Sequence, residues 1–304
     1  MLIKIVKSTT VLALFISSLS AASFNSGAEK DRLEMIKFFE AKFEDPAKNK
    51  DRFFTYFTEE ELEQKYDKNL KHIDFNIGSY AYSKDARSQY EALKEMPPYE
   101  DAIEKGEELY TKKFANGNSL QTCFPDLTNA GTYPYYDKNK KELISLTKAV
   151  NDCLRANVEK EKKKKKGPMA EFQAYWVNES KEAGKKFDIK INSKAEKEAY
   201  ERGKEYYYTQ RGYLKLSCAT CHIQGSGQRV RNEVLSPLLG QVTHFPVLRL
   251  KSTDIGTVER RLSGCVVDQG QVPPKDESQT MIELIYFLAY MSNDMPVDGP
   301  DVRK

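Results

Sequence analysis

The sequence predicts an all-α protein built from two related helical halves. Three observations carry this prediction. Apolar side chains recur at three- and four-residue spacings, the period of an amphipathic helix, as in Leu33, Ile36, Phe39 and Phe43. Landmarks lying between residues 106 and 177 return in the same order between 203 and 291. The second half alone contains Ser217-Cys218-Ala219-Thr220-Cys221-His222.

The chain opens on a short positive stretch with Lys4 and Lys7, then an apolar run from Val11 to Ile16, then small residues up to Ala22. That order is a secretory leader over 1–22, with an apolar run too short to span a bilayer. No cysteine sits at the cleavage region to mark a lipoprotein, and no later segment is apolar for long enough to cross a membrane. Removal of the leader leaves about 280 residues, one large or two ordinary domains. The formal charge of +3 falls to +1 without Lys4 and Lys7, which gives no support for nucleic-acid binding. The expected location is the bacterial periplasm, where disulfides persist.

Residues 23–100 read mostly as helix. Ala28 to Phe43 is amphipathic, Glu59-Glu60-Glu61-Leu62 opens a further helix, and Met96-Pro97-Pro98-Tyr99 breaks the pattern. His72 stands alone and reads as a surface or core histidine. Then the repeat begins. Gly106-Glu-Glu-Leu-Tyr-Thr matches Gly203-Lys-Glu-Tyr-Tyr-Tyr, and Gln121-Thr122-Cys123-Phe124 matches Ala219-Thr220-Cys221-His222. Tyr133-Pro134 matches Phe245-Pro246, and each proline stands 19 residues before a cysteine, Cys153 or Cys265. Leu143 and Leu146 fall opposite Ile255 and Val258. Each half closes on an aromatic helix, Met169 to Val177 and Ile282 to Met291. Matched landmarks in order point to a duplicated domain.

Two thiols three residues apart can form thioethers to the vinyl groups of one haem, and the adjoining His222 can bind its iron. Cys-x-x-Cys-His is the attachment pattern of a c-type haem. A redox dithiol needs no trailing histidine, and a zinc site needs a second pair of ligands. The halves are thus cytochrome c-like domains, over 23–180 (with the N-terminal helical region) and 181–304. In the first, Leu120 and Phe124 replace the first cysteine and the histidine, so one haem c per chain is expected. Cys123 and Cys153 would lie together in the vacated site, and in an oxidising compartment they are expected to form a disulfide, which leaves that half a structural role. The joining run Glu159 to Pro168, with five consecutive lysines, reads as a solvated segment, with a docking patch for an acidic partner as the alternative.

By the repeat, Cys265 returns to the haem pocket as Cys153 does to its own. A thiolate is an axial haem ligand that lowers the iron's potential, so Cys265 is the favoured ligand opposite His222. Met281, Met291 and Met295, as in ordinary electron-transfer cytochromes, and His244 are the competitors. Arg261 lies four residues before Cys265 and shares its face if the segment is helical. There it would lower the thiol pKa and hold an anion.

These residues resemble a family. Cys218-x-x-Cys221-His222, Pro246-Val-Leu-Arg-Leu, Thr257-Val-Glu-Arg-Arg-Leu-x-x-Cys265 and Tyr286-Phe-Leu-Ala-Tyr-Met-Ser-Asn293 are similar to SoxA, a periplasmic cytochrome of thiosulfate oxidation. The resemblance covers most of the chain after the leader and is strongest over about 200–293. Leu120 and Phe124 make it the single-haem type. It implies an L-cysteine S-thiosulfotransferase that couples thiosulfate oxidatively to a cysteine of the carrier SoxYZ. Electrons would pass through haem to the SoxX subunit and on to other cytochromes. It further implies Cys218 and Cys221 as haem anchors and His222 and Cys265 as iron ligands. Cys265 would be the persulfide nucleophile and Arg261 the substrate-binding arginine. A plain electron carrier and a haem-based sensor are the alternatives from other classes.

Overall fold

The structure, a computed structural model, describes residues 7–252 and 254–303, with side chains from residue 24 onward. Residues 1–6 of the expected leader lie outside the described residues, and the main chain from Lys7 onward is part of the first helix.

Five helices form the first third of the chain: α1 (Lys7–Lys42), α2 (Lys50–Phe53), α3 (Glu59–Lys65), α4 (Lys84–Glu95) and α5 (Glu100–Thr111), with a 3-10 stretch over His72–Tyr82. The start of α3 follows from Thr58, whose hydroxyl accepts from the Glu61 amide while the Glu61 carboxylate accepts from the Thr58 amide, a capping box that satisfies two orphan donors. The Pro97-Pro98 break separates α4 from α5, as expected. The apolar face of α1 differs from the expected one. Phe39 and Phe43 are fully buried, whereas Leu33 is exposed and Arg32 beside it is buried. Arg32 reaches Glu29 at 2.8 Å and Asp294 at 3.1 Å, so a charged pair occupies the face the spacing had assigned to leucine.

The rest comprises α6 (Leu120–Cys123), α7 (Leu146–Ala156), α8 (Pro168–Glu182), α9 (Lys194–Tyr208), α10 (Val258–Asp268) and α11 (Gln279–Met291). The expectation of an all-α chain needs correction. Among the described residues, seven strands of two or three residues accompany the helices: β1 (Tyr135–Asp137), β2 (Glu142–Ile144), β3 (Arg229–Val230), β4 (Glu233–Val234), β5 (Val247–Arg249), β6 (Ile255–Gly256) and β7 (Asp301–Arg303). The pairs β1–β2 and β3–β4 are antiparallel, and β5 lies between antiparallel β6 and parallel β7. They satisfy backbone groups in the long connections between α6 and α7 and ahead of α10.

The two halves use the same contacts at matched positions. A Cβ built on Gly106 would lie 2.2 Å from the Glu171 carbonyl oxygen, and one on Gly203 would lie 2.1 Å from that of Glu283. Only glycine permits α5 to cross α8, and α9 to cross α11, at that separation. Ser119 donates its amide to the Thr122 hydroxyl ahead of Cys123, and Ser217 donates to Thr220 ahead of Cys221. Tyr133-Pro134 and Phe245-Pro246 are both cis. Leu146 and Val258 each begin the helix that carries the later cysteine, Cys153 on α7 and Cys265 on α10.

The segment 24–98, grouped by the expected division with the first half, also bonds to the second. Tyr66 donates to the Gly227 carbonyl, Tyr82 to that of Leu235 at 3.0 Å, and Lys42 to that of Gln224 at 3.3 Å. Phe43 stacks on Tyr82 at 4.8 Å within a cluster that includes Phe54, Tyr66 and Phe75. Such aromatic burial supplies much of the apolar area holding this wrap in place.

Candidate active site

In the first half the sulfurs of Cys123 and Cys153 are joined, with 6.2 Å between their Cα atoms. Phe124, the next residue after Cys123, packs on Trp176 at 4.5 Å. Cys218, Cys221 and Cys265 are free thiols, each partly buried.

The attachment sequence is set up by a reciprocal cap: the Thr220 amide donates to the Ser217 hydroxyl at 3.2 Å, and the Ser217 amide to the Thr220 hydroxyl at 3.2 Å. Thr220–Gln224 then winds as a wide π turn, a form that recurs at functional sites. His222 is fixed through Nδ1, 2.9 Å from the Ser236 carbonyl oxygen. That bond sets the tautomer and leaves Nε2 for a ligand, the arrangement of a metal-binding histidine. Burial, helped by the charge of Arg261, pushes its pKa down to about 4, so the ring is neutral.

His222, Arg261 and Cys265 line one cavity of ≈ 780 Å³. The size falls within the range of cofactor sites. Arg261 and Cys265 are one turn apart on α10 and share its face, as the spacing predicted. Burial pushes Cys218 up to about 12 and Cys221 upward, each helped by Cys265. A thioether has no proton to lose, so such burial suits the bonded form. A neutral histidine with a free Nε2, two unpaired thiols and an adjoining cavity fit a covalently held haem.

Among the competing ligands, Met281, Met291 and Met295 are fully buried in the core and absent from the cavity's lining. His244 does line it, stacked on Phe245 at 4.8 Å, with Nδ1 buried and unpartnered among the described residues. His72 sits 3.3 Å from Glu40 and away from this site.

The lysine-rich run lies at the surface, as expected, but it is tied down by ion pairs. Lys164 pairs with Glu277 at 3.3 Å, Lys165 with Asp276 at 3.3 Å and Lys166 with Asp254 at 3.1 Å. The main chain of this strap also holds the start of α10. Thr257, the N-cap, donates its hydroxyl to the Lys164 carbonyl at 2.8 Å and its amide to that of Lys165 at 3.2 Å. Carboxylates distant in sequence meet the lysines here, which composition alone does not reveal.

The sequence also left Glu233, Arg249 and Lys251 unassigned, and all three line the cavity. The one signal was the two-residue spacing of Arg249 and Lys251, which would put both on one side of an extended strand, although β5 ends at Arg249 and Lys251 lies in the turn after it.

Comparison with known proteins agrees with this geometry. The model of the SoxA/TsdA cytochrome c domain matches residues 105–184 and 202–297. The L-cysteine S-thiosulfotransferase subunit SoxA of Chlorobaculum tepidum is 43% identical over 236 residues, 77% of this chain and 82% of that protein. The same subunit from Allochromatium vinosum is 38% identical over 239 residues, 78% and 84% of the two chains. The crystal structure of SoxXA from P. pantotrophus superposes with a TM-score of 0.66 at 25% identity, covering 73% of this chain and 87% of that one. Among the described residues no helix is long and apolar enough to cross a membrane. A c-type cytochrome domain with this match over most of its length places the chain in the SoxA family of L-cysteine S-thiosulfotransferase subunits.

Proposed function

We propose that this chain is the periplasmic catalytic subunit at which thiosulfate is coupled to a cysteine of SoxYZ, with SoxX as its partner. The observation that carries the proposal is the shared cavity of His222, Arg261 and Cys265, with Arg261 one turn from Cys265. The overall change joins the carrier cysteine sulfur to the sulfane sulfur of thiosulfate. One S–H bond breaks, one S–S bond forms, and a proton and two electrons leave.

Cys218 and Cys221 would hold the haem through thioethers, and His222 and Cys265 would bind its iron. Bound there, the haem supplies a one-electron carrier through which the electrons reach SoxX. The Ser236 carbonyl keeps the His222 ring oriented. The Arg261 guanidinium offers paired donors to the sulfonate oxygens and offsets the charge of the dianion. Cys265, as a persulfide, presents the sulfur that meets the sulfane end. His244 would form part of the cavity wall, in keeping with its burial and its stacking on Phe245.

The matched glycine crossings and serine–threonine caps support a duplicated origin of the two halves, divided at 180/181 within the last turn of α8. Leu120, Phe124 and the Cys123–Cys153 disulfide leave the first half without haem ligands, so the count is one haem c per chain. A leader over 1–22 would be removed on export.

Cys265→Ala is expected to abolish thiosulfate-dependent modification of SoxYZ while one haem per chain stays covalently attached, as a pyridine haemochrome assay reads it. Retained turnover in that variant, or two haems per chain in the wild type, would refute the assignment.

A further inference from the structure

We propose that Glu233 is the internal counter-ion of the substrate subsite, a carboxylate that occupies its cations until a sulfur-oxygen dianion displaces it. The inference rests on the function proposed above and goes beyond it in assigning what sets the site's affinity and charge selectivity.

One carboxylate engages three cations brought together from separate elements. Glu233 on β4 pairs with Arg249 at the end of β5, with Lys251 just beyond it at 3.2 Å, and with Arg261 on α10 at 3.3 Å. All four side chains line the cavity of Cys265 and His222. Through Arg261 the negative charge of Glu233 stands within one helical turn of the reacting sulfur. An entering dianion therefore meets a guanidinium already paired. Once the carboxylate leaves, Arg249, Lys251 and Arg261 carry three positive charges, which a dianion offsets more fully than a monoanion does.

The arrangement can release its carboxylate. The Glu233 side chain is 39% exposed and Lys251 62%, while Arg249 at 18% is the better-held partner. Pairs this exposed hold weakly, so the carboxylate moves into water at little cost. It belongs to a hairpin with only two residues in each strand, β3 and β4. Glu233 is thus a positioning residue: it keeps the cations assembled when the subsite is empty and competes with the anion for Arg261.

The test uses the haem-loaded protein with SoxX, at low ionic strength, where the charges are least screened. Glu233→Gln should lower KM for thiosulfate about five- to tenfold, the equivalent of one or two partly exposed ion pairs. The kcat should move far less. Inhibition by sulfate, an unreactive dianion, should strengthen by the same factor. Glu233→Asp keeps the charge and the hairpin and should give a smaller change in the same direction. KM and sulfate inhibition unchanged or weakened in both variants would overturn the proposal. Should the glutamine variant fail to fold, the aspartate variant decides it by the same criterion. If the wild type does not turn over thiosulfate, the functional proposal fails. Equilibrium dialysis with labelled sulfate then decides this one, tighter binding in Glu233→Gln supporting it and equal binding refuting it.

Discussion

Replacing Gly203 by alanine drives a methyl group into the backbone of α11. The added Cβ would stand 2.1 Å from the Glu283 carbonyl oxygen, 2.7 Å from its carbon and 3.0 Å from Phe287 Cβ. Ordinary contact begins near 3.4 Å, so the two helices must separate by more than 1 Å. The obstacle is main chain, which no rotamer change removes. Tyr200 and Tyr207 pack on Phe287 across this crossing, at 5.4 Å and 5.2 Å, and both contacts open with it. Overpacking of this kind costs about 1–3 kcal/mol and sometimes more, and here the whole helix pair shifts, so a cost of about 3–4 kcal/mol is expected. Against it stands about 1 kcal/mol gained from alanine's better helix propensity. The net loss of about 2–3 kcal/mol corresponds to a Tm lower by about 4–12 °C for a chain of this size. Thermal unfolding followed by far-UV circular dichroism measures it. Gly27→Ala, where a Cβ meets nothing within 4 Å, is the control and should be neutral or slightly stabilising. A Tm for Gly203→Ala equal to or above the wild type would show that propensity governs the position, and would refute the close crossing.

Three further outcomes are expected. Replacing Cys123 and Cys153 together by alanine opens a loop of 30 residues and should remove about 3.6 kcal/mol in the chain-entropy model. Urea unfolding would check it, and a midpoint unmoved under oxidising conditions would contradict it. Glu259 is buried, with Oε2 unpartnered among the described residues, and burial pushes its pKa up to about 7 despite the Thr147 and Thr257 hydroxyls beside it. An acid whose folded pKa is raised binds more protons folded than unfolded, so stability falls as pH rises from about 4.5 through 7. Glu259→Gln should abolish that loss, on the order of 3 kcal/mol above pH 7, with little effect near pH 4. Parallel Tm–pH curves for the two proteins would refute it. Arg261→Gln should raise KM for thiosulfate by about tenfold or more, the loss of a charge-assisted hydrogen bond, with haem content unchanged. Steady-state kinetics with a SoxYZ acceptor reads it, and an unaltered KM would remove Arg261 from the substrate site.

What the sequence determined by itself is local or repeated. The six residues from Ser217 to His222 contain their own chemistry, and four residues between Arg261 and Cys265 place both on one face once the segment is a helix. The repeat added longer reach, because Cys153 could be set beside Cys123 through its likeness to Cys265. The tertiary structure decided which surfaces meet. Residues 24–98 wrap the second half, since the Phe43, Tyr66 and Tyr82 cluster finds its complement at Gly227 and Leu235. The lysine run became a strap because Asp254, Asp276 and Glu277 lie where it passes. Glu233 gained its three cations from β5, the residues after it, and α10. Apolar period and thiol spacing act over one or two turns and survive in a one-dimensional reading. Charge pairing across tens of residues depends on where folded elements come to rest, and only the packed chain sets that.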